Sequence, residues 1–510
     1  MGTSRTKNTF LNAIFGIVGY ALIVVISFVL RKVLASVLGE EYLGLNSLYT
    51  TIVSFLSLTE LGLSTAIIYF LYKPLNDGDK EKIKQYLHFY KKAYRLIAII
   101  VLAAGCIVTF ILPYIAKTTV ELGKVRVYFI LYVVNTSVSY LIAYKKSIIY
   151  ADQKARVVSV SHALSKIIFS AMQILILYYT ESFLFYIIAM IFCTVADNFA
   201  CANYANKKYS YIKEKCTSSL TKEEFSEIKA KMIPIALQSL SGYVVTSTDS
   251  IIISAVISVG VVGIYSNYTL ISSTLKSLYG QVFAAFTSSF GNLSVSNDKE
   301  RSYYIYDKAV YLAFFMTCCM ATCFVSLVSS FIDLCFGNKY VLDTLNMILV
   351  AGSFYFTCMN VPAISVQNAL GLHGKDMWVM VAQGAFNLVV SLILVYFIGL
   401  SGVIIGTITS TVIFPFFSKD YVLHKYFFNK EASKIYLCQV FYLLITIFSV
   451  ACGYYICNFL IVANSWLTLI RNGFIAFGIS VVIATITTFW TSKFKYFISI
   501  LKKFKRKVWR

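Results

Sequence analysis

Two stretches of this chain carry polar side chains at helical spacing: GLNSLYTTIVS, Gly44 to Ser54, and GIYSNYTLISS, Gly263 to Ser273. At a constant offset of 219, Gly44, Ser47, Tyr49, Thr50, Ile52 and Ser54 recur as Gly263, Ser266, Tyr268, Thr269, Ile271 and Ser273. In the first copy Ser47, Thr50, Ser54, Ser57, Glu60 and Ser64 step by three or four, which places them on one helix face; the second repeats the face as Ser266, Thr269, Ser273 and Lys276. In an apolar surrounding such a stripe either lets helices pack closely or lines a polar path and hydrogen-bonds what passes along it. Charges weigh toward the path. Glu60, Lys166, Asp197, Asp249 and Lys276 all fall inside apolar runs, where a charged group costs about 2.5–3.5 kcal/mol on insertion scales and needs a partner or water. Lys166 shares a face with His162, Ser170 and Gln173, and Gln383, Asn387 and Ser391 are the counterparts of that face at an offset of 221. Gln238, Gly242, Thr246 and Asp249 line up on another helix. Acid and base pairs such as Asp249 with Lys276 are equally readable as static locks.

The elements that must hold these residues are membrane helices. Charged residues are 13% of the chain and hydrophobic residues 58%, with a mean hydropathy of +0.74, whereas a soluble domain carries roughly a quarter charged residues. Apolar runs of about twenty residues, enough to cross a bilayer, recur throughout. They predict an all-α polytopic membrane protein with about fourteen spans, near 10–30, 45–71, 96–115, 127–144, 157–178, 183–203, 232–256, 263–291, 309–332, 345–370, 377–397, 402–418, 435–459 and 468–491. The first run is read as a retained helix rather than a cleaved leader.

The net charge of +22 raises the question of nucleic acid, and the placement of the basic residues answers it. With the N-terminus inside, only Arg31, Lys32, Lys117, Lys124, Arg126, Lys339 and Arg471 fall in outer segments and only Lys166 and Lys276 at mid-span; the other basic residues lie in inner segments. That asymmetry puts both termini in the cytoplasm by the positive-inside rule and leaves no nucleic-acid partner to explain. The tail KKFKRKVWR has the composition of a segment lying on anionic lipid.

The repeat continues past the stripe. Asp79-Lys80-Glu81 returns as Asp298-Lys299-Glu300 at the same offset, and Gln153-Lys154 aligns with Gly374-Lys375 at 221. Each pair is six spans apart and runs in one direction, which makes the repeats parallel, related by an axis along the membrane normal. The expected organisation is an N-lobe of six spans over 1–205, an inter-lobe cytoplasmic loop over 206–231, a C-lobe of six spans over 232–430, two further spans over 431–492 and a basic tail over 493–510. Thr221 and Glu224 have capping-box spacing and predict a short helix in the loop.

Catalytic and metal machinery is missing from the pattern. There is no Walker loop, no GxSxG and no dinucleotide fingerprint. Eleven of the twelve cysteines fall in or beside apolar spans without metal-ligand spacing, as packing residues do. The chain is read as a non-enzyme without a cofactor, with Glu60, Asp197 and Asp249 as candidates for Na+ or H+ coupling.

LGEEYLGLNSLYTTIVSFLSLTELGLSTAI (Leu38 to Ile67), DSIIISAVISVGVVGIYSNYTLI (Asp249 to Ile271) and GLSGVIIGTITS (Gly399 to Ser410) resemble the polysaccharide flippase branch of the multidrug, oligosaccharidyl-lipid and polysaccharide exporter superfamily. The resemblance implies two six-helix bundles in a V that alternate between inward-open and outward-open forms. It also implies a cargo of undecaprenyl-diphosphate-linked oligosaccharide, flipped from the cytoplasmic to the outer leaflet of a bacterial plasma membrane for surface polysaccharide synthesis. On that reading Lys276 and Lys166 bind the diphosphate, Arg31 assists at the outer mouth, and Ser54, Ser57, Ser273, Asn387, Tyr49 and Tyr268 line the cavity against the sugars. Membrane lipids, a polysaccharide polymerase and glycosyltransferases are the implied partners. Two alternatives stay open: a cation-coupled multidrug exporter, and a lipid II flippase, from whose arginine-rich cavity the deep lysines here depart.

Overall fold

The structure, a computed structural model, describes residues 2–57, 61–214, 216, 220–294, 298–461 and 463–499. Among them there is no strand. The helices are α1 (Gly2–Leu56), α2 (Leu61–Asp77), α3 (Lys80–Ile115), α4 (Leu122–Ala143), α5 (Lys146–Ala151), α6 (Ala155–Thr180), α7 (Phe183–Lys208), α8 (Lys222–Val256) and α9 (Val259–Ser294). They continue as α10 (Lys299–Phe336), α11 (Thr344–Met359), α12 (Val361–Leu370), α13 (Met377–Ile398), α14 (Leu400–Thr411), α15 (Phe417–Leu423), α16 (Ser433–Tyr455) and α17 (Trp466–Thr488). Eleven helices among the described residues are long and apolar enough to cross a membrane. The spans expected near 45–71, 232–256 and 263–291 fall on the end of α1 with α2, on α8 and on α9. This is a multi-pass membrane protein.

The first helix is not straight. Gly39 sits at φ 85°, ψ −176°, a conformation open essentially to glycine alone. Sixteen residues of straight helix would separate Arg31 from Ser47 by about 24 Å, yet the Arg31 guanidinium reaches the Ser47 hydroxyl at 3.5 Å. The chain therefore folds back at Gly39, and the first two expected spans meet through this turn.

Physical reasons for the repeated motifs are visible at the helix starts. Asp79 caps α3 by accepting from the Lys82 amide, and Asp298 caps α10 by accepting from the Arg301 amide, each at 2.9 Å. Glu81 and Glu300 then stand in the first turns, where a carboxylate complements the helix dipole. The echoed Asp-Lys-Glu is thus the start signal of two long helices, of 36 and 38 residues. The capping box at Thr221 and Glu224 forms as expected. The helix it opens is not short: α8 runs without a break into the span that follows.

By packing, the chain divides into two compact units, residues 1–263 and 264–510. The first includes α8, which lies against α1, α2 and α3, so this division falls after the expected loop of 206–231. Its interior is built on Tyr49, Phe129, Tyr132, Phe183 and Tyr186. The second unit centres on Tyr279, Phe283, Tyr306, Phe314 and Phe354, with Tyr442 of α16 stacked on Phe314 at 4.2 Å. On α17, Leu467, Ile470, Phe474 and Phe477 are left outward-facing, a surface suited to lipid.

Candidate functional site

In the first unit α6 and α7 run antiparallel, with His162 against Asp197 and, one turn further along both helices, Lys166 beside Cys193. Asp197 is the centre of a polar cluster. Its carboxylate accepts from the Lys146 ammonium at 2.8 Å and from the Ser161 hydroxyl at 2.8 Å, and lies 3.4 Å from His162 Nδ1. Lys146 arrives because the chain breaks after α4 and restarts as α5, which packs on both α6 and α7. A cavity of about 360 Å³ opens onto the cluster, lined by Gly16, Gly19, Tyr20, Lys146, His162 and Asp197. Gly19 of α1 faces the Ser159 carbonyl and the Ala163 methyl of α6.

Lys166 differs from Asp197 in its surroundings. It is half-buried, and among the described residues it makes neither an ion pair nor a hydrogen bond, having only the Cys193 thiol within electrostatic reach. The next residues on its face are consumed in packing: Ser170 is buried, and Gln173 donates to the Tyr186 carbonyl at 3.1 Å.

The remaining expected site residues are placed as follows. Arg31 meets Ser47 beside the Gly39 turn. Ser54 is half-buried, and Ser57 donates to the Val53 carbonyl of its own helix. Glu60 lies outside the described residues. Asp249 is buried in α8 of the first unit. In the second unit Ser273 is exposed, its hydroxyl bonded to the Leu270 carbonyl, and Lys276 is half-buried within electrostatic reach of Cys358 on α11.

Three expectations require correction. Tyr49 is fully buried and its phenol donates to the Val125 carbonyl at 2.8 Å; Tyr268 is fully buried and accepts from the Leu342 amide at 2.9 Å. These repeated tyrosines tie helices together inside their units, and the hydrogen bond each makes satisfies a polar tip that burial would otherwise leave costly. Asn387 is likewise fully buried and donates to Thr407 of α14 at 3.0 Å. Its neighbours explain why: a β-carbon at Gly402 would lie 2.4 Å from the Leu394 carbonyl, and one at Gly406 would lie 2.3 Å from the Ser391 hydroxyl. This face of α13 is a close helix contact, and none of the three side chains is offered to a cargo in this structure.

Two groupings escaped the sequence reading. The first closes one end of unit one. Lys117, in the turn between α3 and α4, donates its amide to the Ser254 carbonyl at 3.0 Å and accepts from the Val259 amide at 2.9 Å. Its ammonium reaches the Val256 carbonyl at 2.7 Å, Ser254 donates to the Ile115 carbonyl at 2.5 Å, and Thr118 donates to Glu41 at 2.6 Å. Beside this clamp the repeated glycines cross: a β-carbon on Gly44 would lie 1.9 Å from the Val259 carbonyl oxygen, and one on Gly263 would lie 2.5 Å from that of Glu40. The only signal was the glycine echo itself. The second grouping is in unit two, where Lys419 pairs with Asp376 at 2.7 Å, both buried, and Asp420 takes hydrogen bonds from Tyr306 and Gln439. The expected span ended at 418, but the helix continues through two π-helical turns to Phe428, which draws these charges inside.

Against known proteins, a family model described as "Polysaccharide biosynthesis protein" matches residues 6–289. No curated protein matches the chain in sequence. Among solved structures, the lipid II flippase MurJ in an inward closed conformation superposes with a TM-score of 0.66 at 14% identity, covering 94% of this chain and 98% of that one. An inward-facing multidrug resistance MATE family transporter of the MOP superfamily gives 0.63 at 15% identity, covering 79% and 93%. An outward-facing MATE family transporter gives 0.55 at 13% identity, covering 82% and 95%. At these identities the likeness is one of fold.

Proposed function

The chain belongs to the polysaccharide biosynthesis protein family, and from that premise we propose that it is a flippase carrying undecaprenyl-diphosphate-linked oligosaccharide from the cytoplasmic to the outer leaflet of a bacterial plasma membrane. The family and the MOP-type fold are those of flippases and transporters. The observation that carries the cargo assignment is Lys166, a half-buried cation within a span that has no ion pair among the described residues. An ammonium in that position is costly without a compensating anion. A diphosphate leaving water needs such cations, together with hydroxyls, in place of its hydration. Arg31 and Ser54 in the first unit, and Lys276 and Ser273 in the second, are the further cationic and hydroxyl groups of this proposal, and the polyprenyl tail stays in lipid while the head group moves. Both termini face the cytoplasm on this reading, next to the glycosyltransferases that build the unit.

Asp197 is the coupling residue of this proposal. Its carboxylate faces a cavity and is shared by Lys146, Ser161 and His162, so a proton or Na+ arriving there competes with Lys146 for the same oxygens. The test is transport by Lys166→Gln at equal protein level. Polysaccharide export lowered about tenfold or more, with Lys166→Arg restoring part of it, supports the diphosphate role; normal export by Lys166→Gln rejects it.

A further inference from the structure

A second basic feature of the first unit lies apart from the Asp197 cluster and is not used by the transport reading. A cavity of about 350 Å³ opens between the start of α3, the end of α4 and a 3₁₀ turn at Ser210–Lys213, lined by Lys84, His88, Lys91, Lys145, Lys213 and Glu214. Lys84, only 7% exposed, is already neutralised, by Glu81 and by Glu214 at 3.0 Å. Lys91, Lys145 and Lys213 have no ion pair among the described residues. Two of them are held on one ring, with Lys91 Nζ 6.0 Å and Lys145 Nζ 5.8 Å from the centre of Tyr144, and Lys145 is further fixed by donating to Asn206 at 2.9 Å.

Burial pushes the Lys145 ammonium below its usual range, and the charges of Lys91 and Lys213 push it the same way. Three cations that repel one another around one concave space leave their charge for something else to offset. A small multivalent anion does this best, since lysine acts as a point charge on phosphate oxygens. The geometry points to a binding site for a phosphate-bearing anion in this cavity, filled by an anionic phospholipid head group or by a free diphosphate. Its occupant would bridge α3 to the 210–213 turn that leads out of α7 toward α8, and so brace the connection between them.

The full chain purified in detergent tests this without any transport assay, so the result stands whether or not the flippase reading does. Inorganic pyrophosphate is titrated calorimetrically in one arm. Phosphatidylglycerol is titrated by native mass spectrometry in the other. The variant pair Lys91→Gln with Lys213→Gln is compared with Lys92→Gln with Lys222→Gln, which removes the same charge from a neighbouring groove lined by Gln85, Phe89 and Phe225. The expected result is saturable binding in at least one arm, weakened about tenfold or more by the first pair and less than about twofold by the second. Pyrophosphate binding identifies a free anion, and phosphatidylglycerol binding alone identifies a lipid. Should the first pair not fold, acylation of wild-type lysines gives the same answer: the ligand must shield Lys91, Lys145 and Lys213 but not Lys92. No saturable binding in either arm, equal losses in both pairs, or uniform acylation overturns the proposal.

Discussion

Lys166 and Asp197 stand one helical turn apart in register and carry opposite expectations. Among the described residues Lys166 has no anion to satisfy it, so its replacement by Gln is expected to remove a buried cost and leave the fold as stable or slightly more so, while transport falls. Asp197 is tied to Lys146, Ser161 and His162. Asp197→Asn leaves Lys146 without its counter-charge and is expected to cost about 3–5 kcal/mol in thermal or denaturant unfolding, much of which Lys146→Met in the same chain restores. If Asp197→Asn melts like the wild type, the cluster is not the lock described. Both residues were legible in the sequence, because a charge within an apolar run stands out in any reading. Whether such a charge is paired was not legible: that depends on Lys146, which opens the short helix α5 just after a break that hydropathy does not resolve.

At the scale of elements, the length of the apolar runs located the spans, because lipid leaves the backbone few options other than helix. The repeat carried more than its residue types suggested. The Asp-Lys-Glu echo is a pair of helix caps, the repeated tyrosines are internal ties, and the repeated glycines are a backbone crossing. A serine or tyrosine on a helical stripe looks the same whether it faces a neighbour or a cleft, which is why Tyr49, Tyr268 and Asn387 were misplaced. Gly44→Ala sets a methyl against the Val259 carbonyl, which is backbone and cannot swing aside; it is expected to cost about 1–3 kcal/mol. Gly39→Ala, at a φ of 85°, is expected to cost a similar amount, about 1–3 kcal/mol, from backbone strain alone. Thermal melts of the purified variants check both, and an unchanged melting point in either contradicts the crossing or the turn. The Lys117 clamp invites a functional test as well. Cysteines placed at Lys117 and Val259 and joined by a short cross-linker are expected to stop export reversibly if alternation requires this contact to open, and export unchanged by the cross-link says that it need not.

For the whole molecule, the chain is a multi-pass membrane protein whose family model matches 6–289 and whose fold is shared with MurJ and with MATE transporters. Hydropathy made the multi-pass helical architecture readable without coordinates. The identity of the cargo was not readable in the same way, because substrates are distinguished by a few side chains on a common scaffold. The central claim is that a lipid-linked oligosaccharide is the cargo, and it is tested most directly by mass spectrometry of lipids extracted from cells lacking this protein. The account predicts that the complete undecaprenyl-diphosphate oligosaccharide builds up while surface polysaccharide disappears, and that the wild-type gene reverses both but the Lys166→Gln gene does not. Polysaccharide reaching the surface normally, with no build-up of the lipid-linked unit, would contradict it.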